Sequence, residues 1–132
     1  MTLYLLIALG GALGSIGRFY FSGLVANHFG ATFPWGTFFV NVTGSFIITF
    51  FAVLSGPEGR LLVGSNGRQF FMTGVCGGYT TFSSFSLQTL TLANDGEWLQ
   101  AGANAVLSLV TCLVAAWLGY LLATHLNNPK TA

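Results

Sequence analysis

From Gln69 to Leu92 the chain carries no charged residue, and at the centre of this run stands Gly77-Gly78-Tyr79-Thr80-Thr81-Phe82-Ser83-Ser84-Phe85-Ser86. The run is long enough to cross a bilayer, which takes roughly 20 helical residues. Its middle is a poor continuous helix, because glycine is costly in a helix interior and Ser and Thr offer the backbone competing hydrogen bonds. The sequence therefore predicts a break near Gly77 to Thr80. Inside hydrocarbon, irregular backbone is tolerated only where its freed carbonyls and amides meet protein, water or an ion. A break at that depth points to a permeation or binding site.

The remaining sequence places this run in a membrane. Charged residues make up 5% of the 132, against roughly 25% in a soluble domain, and most of them fall between apolar stretches. The hydrophobic pattern resolves into four spans, 3–25, 34–54, 69–92 and 98–123, and predicts one all-α transmembrane domain with no soluble module. Pro34 and Trp35 open the second span, the proline suited to a first helical turn and the indole to the membrane interface. Ser55-Gly56-Pro57 closes it. The start of the chain lacks the basic flank and small-residue cleavage site of a signal peptide. Net charge is +1, which excludes the basic patch that nucleic-acid binding needs.

Four spans put both termini on one side, together with Arg60, Arg68 and Lys130, and leave Arg18 with the acids Asp95 and Glu97 toward the other. Lys/Arg imbalance in short loops sets orientation, and three against one is a small excess. The pattern permits insertion in both directions and is equally compatible with one fixed topology. Gly10, Gly11, Gly14 and Gly17 have the small-residue spacing of close helix packing, which serves contacts within one chain or between copies. A chain of this size encloses little interior, so a pore built from it calls for more than one copy.

Polar residues inside spans tend to face a bundle interior or an aqueous path. Asn41, Ser45 and Thr49 recur every four residues on one helix face, as do Asn104, Ser108 and Cys112. Such stripes either bond neighbouring helices or pass an ion. Phe82 and Phe85, three apart, share a face if helix resumes after the break; with 13 phenylalanines in the chain, ordinary packing explains a pair as well. Ring edges are positive, however, and can attract an anion without holding a full charge.

Other functions fit poorly. Proton coupling normally uses an intramembrane carboxylate or histidine, whereas Glu58, Asp95 and Glu97 fall in loops and His28 and His125 near span ends. No nucleophile, base and orienting acid can be grouped, and two cysteines on different spans lack zinc-site spacing. An enzyme is not expected. An accessory membrane protein without conductance is the remaining rival.

These residues together resemble the Fluc, or CrcB, family of fluoride channels over essentially the whole length. The resemblance rests on Gly10-Gly11-Ala12-Leu13-Gly14 with Arg18, Gly36-Thr37 with Asn41, and Gly74 followed by Cys76 through Ser86. It implies an antiparallel, dual-topology homodimer of four-helix subunits in the cell membrane, with two fluoride pores each made by both chains. By that resemblance Phe82 and Phe85 present ring edges to fluoride, Asn41 donates to the anion, Ser83 and Ser84 belong to the pore region, and Asn104 with Ser108 forms a polar track. Gly77 and Thr80 would offer backbone carbonyls to a structural sodium ion at the dimer interface, and Arg18 would hold a vestibule. The chain departs from the pattern where Cys112 replaces a usual hydroxyl and Ala116 offers no polar group, with Thr111 one position off the stripe. The implied role is passive escape of cytoplasmic fluoride.

Overall fold

The computed structural model describes residues 1–128 of the chain as an all-helical bundle. Lys130, counted above on the side of the termini, lies outside the described residues. Among the described residues, three helices are long and apolar enough to cross a membrane: α1 (Thr2–Phe29), α2 (Trp35–Leu54) and α6 (Trp98–Asn127), with mean hydropathy 1.4, 1.9 and 2.2. The third expected span is present as pieces: α3 (Ser65–Gln69), a π-helical segment Phe70–Cys76, the short α4 (Gly77–Tyr79), and α5 (Phe82–Asn94). Helices α1 and α6 run a turn or so past the expected ends. Gly30 and Gly96 take positive φ at the turns after α1 and α5, where a side chain would strain the backbone.

The interruption lies at the last residue of the expected segment and one beyond it. Gly77 is helical (φ −65°, ψ −36°), and Gly77 and Gly78 are both within α4, so the glycines do not break the helix. Thr80 (φ −85°, ψ 156°) and Thr81 (φ −153°, ψ 112°) are the extended residues. The glycines have a different use. A Cβ on Gly78 would collide with the Gly11 carbonyl, one on Gly14 with the Val75 carbonyl, and one on Gly74 would lie 2.9 Å from the Gly10 Cα. Helix α1 and the first half of the broken span thus meet backbone to backbone, the close approach that small residues permit where lipid gives no hydrophobic drive. Gly10 and Gly14 are buried within the single chain, while Gly11 and Gly23 would meet nothing within 4 Å.

Helix α2 packs along α6, and α5 leans on α6 as well. Gly119 of α6 admits the Phe46 carbonyl of α2 in the same manner. The C-terminal carbonyls of α2, which have no intrahelical partner, are each satisfied. Ser55 N–H donates to Phe51, Arg68 Nη1 to Ala52 (3.2 Å), Asn127 Nδ2 to Val53 (3.2 Å) and Leu61 N–H to Leu54 (2.9 Å). The Arg68 cation also complements the negative end of the helix dipole. The loop between α2 and α3, glycine-rich and hard to place from sequence, is tied down by these bonds.

Much of the outer surface is apolar: Leu5, Leu9, Leu13 and Ile16 of α1 are 58–67% exposed, as are Leu109 and Leu113 of α6 at 63%. Such a surface suits lipid or a second membrane-embedded chain. Gly14→Ala is expected to cost about 1–3 kcal/mol through overpacking against Val75, read as earlier thermal unfolding in detergent, whereas Gly11→Ala should unfold like the wild type.

Candidate functional site: a neutral cleft at the helix break

The break is held by one side chain from a distant part of the chain. Asn41 of α2 accepts the Thr81 N–H at Oδ1 (2.8 Å) and donates from Nδ2 to the Thr81 carbonyl (3.0 Å), pairing its amide with both backbone groups of the extended residue. Thr81 itself is 7% exposed. It then serves as N-cap of α5: its Oγ1 accepts the Ser84 N–H (3.2 Å), satisfying one of the orphan donors of the first turn. Ser83 Oγ (3.1 Å) and Ser84 Oγ (3.2 Å) bond the same hydroxyl.

Beside the break opens a cleft of about 450 Å³ between α2, α5 and α6. Asn41, Ser45, Thr80, Phe82, Phe85, Ser108 and Cys112 line it with Ile48, Ala105 and Leu109. No lining residue is Asp, Glu, Lys, Arg or His. The Phe82 and Phe85 rings are 5.2 Å apart between centroids with planes at 52°, and Phe82 is 79% exposed. Asn41 has a second amide hydrogen beyond the one given to Thr81. The Ser45 and Thr80 hydroxyls of the wall donate to backbone carbonyls of their own helices, Ser45 to that of Asn41 (2.7 Å) and Thr80 to that of Cys76 (3.0 Å).

The structure brings together Asn41, Phe82, Phe85 and Ser108 of the residues expected at a pore, with Ser45 and Cys112 of the two polar stripes and Thr80 of the break. Asn104 sits behind the wall, 2% exposed, bonded to Ser108 (3.2 Å) on one side and to Thr89 of α5 (2.8 Å) on the other. Ser83 and Ser84 belong to the cap and do not line the cleft. Cys112 faces the cleft in line with Ser108, while the Thr111 hydroxyl bonds the Leu107 carbonyl (2.6 Å) of its own helix. Gly77 is exposed at the start of α4, and Arg18 is half-buried on α1 with no hydrogen-bond or ion-pair partner among the described residues.

Sequence reasoning missed two residues. Thr81 carries the break, and its signal was a threonine three positions before a potential N3 residue at a helix start. Thr89 has no local signal, since a lone threonine in a helix most often bonds its own backbone, as this one also does to Phe85 (2.7 Å). A second cleft of about 740 Å³ opens where the α1–α2 turn meets the end of α5, with Thr37, Gln88 and Asp95 on its wall. Asn41→Leu removes both partners of Thr81 and is expected to cost about 2–4 kcal/mol, the scale of two unpaired buried polar groups; a lower unfolding temperature and faster amide exchange at Thr81 check it.

Comparison with known proteins agrees with these features. Residues 5–120 match the family described as CrcB-like protein, Camphor Resistance (CrcB). The fluoride-specific ion channel FluC of Opitutus terrae is 69% identical over 130 residues, covering 98% of both chains. That of Rhodospirillum rubrum is 58% identical over 95% of this chain and 97% of the relative, and that of Methylocella silvestris 54% over 98% of each. With three membrane-length helices and a match across most of its length, the chain is a multi-pass cell-membrane protein of the CrcB (FluC) family.

Proposed function

We propose that the chain forms a passive, fluoride-selective channel, a transporter and not an enzyme. The observation that carries this reading is the neutral cleft: phenylalanine rings, one spare amide hydrogen and hydroxyls, with no acidic or basic residue to bind an ion tightly. The fluoride-channel names of close relatives support it. Fluoride is small and strongly hydrated, so entry requires groups that replace its water and yet let it go. Several weak donors meet both needs better than one cation. Asn41 gives its free amide hydrogen, Phe82 and Phe85 give ring edges, and the Ser108 wall gives the next polar step. Asn104 acts from behind that wall, while Ser83 and Ser84 act through the cap of α5. Larger halides are refused by width. Flow is down the gradient, so fluoride ionised in the cytoplasm leaves without coupling.

The pathway is completed by a second copy inserted in the opposite orientation. Support comes from Phe82, 79% exposed on one chain, from the cleft's open side, and from the weak charge bias that lets copies insert both ways. Two clefts then give two pores per antiparallel homodimer. An apolar groove of about 420 Å³ along Phe39, Thr43, Ile47, Val75 and Tyr79 offers the partner a surface. Arg18, without a hydrogen-bond or ion-pair partner among the described residues, serves as a vestibule residue.

The break also suits a structural sodium ion at the twofold axis. In an unbroken helix the Gly77 carbonyl takes the Thr81 N–H and the Thr80 carbonyl takes the Ser84 N–H. Here those donors go to Asn41 and to Thr81 Oγ1. Gly77 and Thr80 are left with carbonyl oxygens to offer, the donor type a hard cation takes. Bound there with the same pair from a second copy, sodium would supply a fixed positive charge between the two breaks.

Purified chain in liposomes loaded with fluoride or chloride tests the function: an electrode should record rapid fluoride efflux and chloride retention, and fluoride efflux no faster than from empty vesicles rejects the reading. Phe82→Ile or Phe85→Ile should slow fluoride by about tenfold or more, equivalent to roughly 1.4 kcal/mol of barrier, with the assembled species unchanged on size exclusion. Asn41→Asp places a carboxylate at the cleft and should depress efflux further.

A further inference from the structure

The hydrogen bonds behind the cleft run in one direction. Their last member, the Phe85 carbonyl, can only accept, so the Thr89 hydroxyl donates to it (2.7 Å). Thr89 Oγ1 then has only lone pairs to offer Asn104. That fixes the amide with Nδ2 toward Thr89 (2.8 Å) and Oδ1 toward Ser108 (3.2 Å). Ser108 spends its single hydrogen on Oδ1, and its hydroxyl therefore presents lone pairs to the cleft it lines. A residue whose side-chain type suits an anion donor is held as an acceptor by a threonine two partners away.

We propose that Thr89 is a positioning residue for anion passage. Its hydroxyl, between Asn104 and the Phe85 carbonyl, keeps the Ser108 hydrogen turned away from the cleft and fixes the Phe85 turn of α5 against α6. This rests on the fluoride-channel reading above. An anion that recruits the Ser108 hydrogen leaves Asn104 Oδ1 without a partner in a position only 2% exposed. The wall's hold on the ion is consequently weak, and a weak hold is what rapid release requires. Asn104 and Thr89 come from different helices, so one relay sets both the ring and the hydroxyl that face the same ion.

Thr89→Val keeps the branched shape and deletes the hydroxyl. The Asn104 amide is then free to turn, give a hydrogen to Ser108 Oγ, and release the Ser108 hydrogen to the cleft. Fluoride should be held longer: maximal efflux and the half-saturating fluoride concentration should both fall by about fivefold, the scale of one net hydrogen bond. Thr89→Ser restores the relay and should behave as the wild type. Thr89→Val combined with Ser108→Ala should match Ser108→Ala alone, because the rearranged hydrogen no longer exists. The measurement is efflux from liposomes across a fluoride concentration series, with assembly checked by size exclusion; if Thr89→Val does not assemble, Thr89→Ala takes its place. An unchanged half-saturating concentration, a Thr89→Ser variant as impaired as Thr89→Val, or additive losses in the double variant overturns the proposal. Wild-type chain without fluoride efflux removes the channel reading and this proposal together, whereas normal wild-type efflux with an unaffected Thr89→Val removes the proposal alone.

Discussion

The pairing of the Asn41 amide with both backbone groups of Thr81 is the contact on which the rest of the molecule depends. A break at membrane depth exposes peptide groups that lipid cannot satisfy. Water or a charged side chain could satisfy them, and either would alter what the site can pass. An amide does so without charge, and it comes from α2, so it also fixes the height of the break relative to a second helix. From that anchor follow the cap of α5, the direction in which α5 restarts, and the position of Phe82 and Phe85 beside the cleft.

Neutrality is maintained through the layers around the cleft. Thr43 gives its hydrogen to the Phe39 carbonyl (2.8 Å) and accepts from Tyr79 (3.0 Å), while Ser45 and Thr80 turn theirs to their own helices. At the end of α2, Arg68 closes the helix against Ala52 and Ser55. The cation there serves helix termination, and the cleft wall is left to uncharged groups.

Three membrane-length helices were legible because bilayer thickness and low charge leave a chain of this kind few arrangements. That the third expected span would be interrupted was legible from the mixture of glycines and hydroxyls. The break falls at the far end of the expected Gly77 to Thr80 segment and one residue beyond it, past the glycines, since a glycine that breaks a helix and one that admits a neighbouring backbone look alike in one dimension; Gly74 and Gly78 are of the second kind. Asn41 could be picked out as polar within a span, but its partner is 40 residues away and no local pattern names it. Four-residue spacing correctly put Asn104 and Ser108 on one face. It could not tell that Ser108 reaches the cleft and Asn104 stops behind it, because that depends on how closely α5 lies against α6.

The π-helical segment Phe70–Cys76 lies between the arginine that closes α2 and the break that opens the cleft. A wide turn of this kind holds one residue more than an α-helix over the same rise. Because the wide turn takes up its extra residue within itself, deleting one residue there would return the segment to ordinary winding and leave Arg68 close to its present phase relative to Gly78. The surplus residue is thus absorbed between two fixed attachments, and a single deletion in this short stretch disturbs them less than one in the α-helical turns on either side, where each residue turns the helix by about 100°.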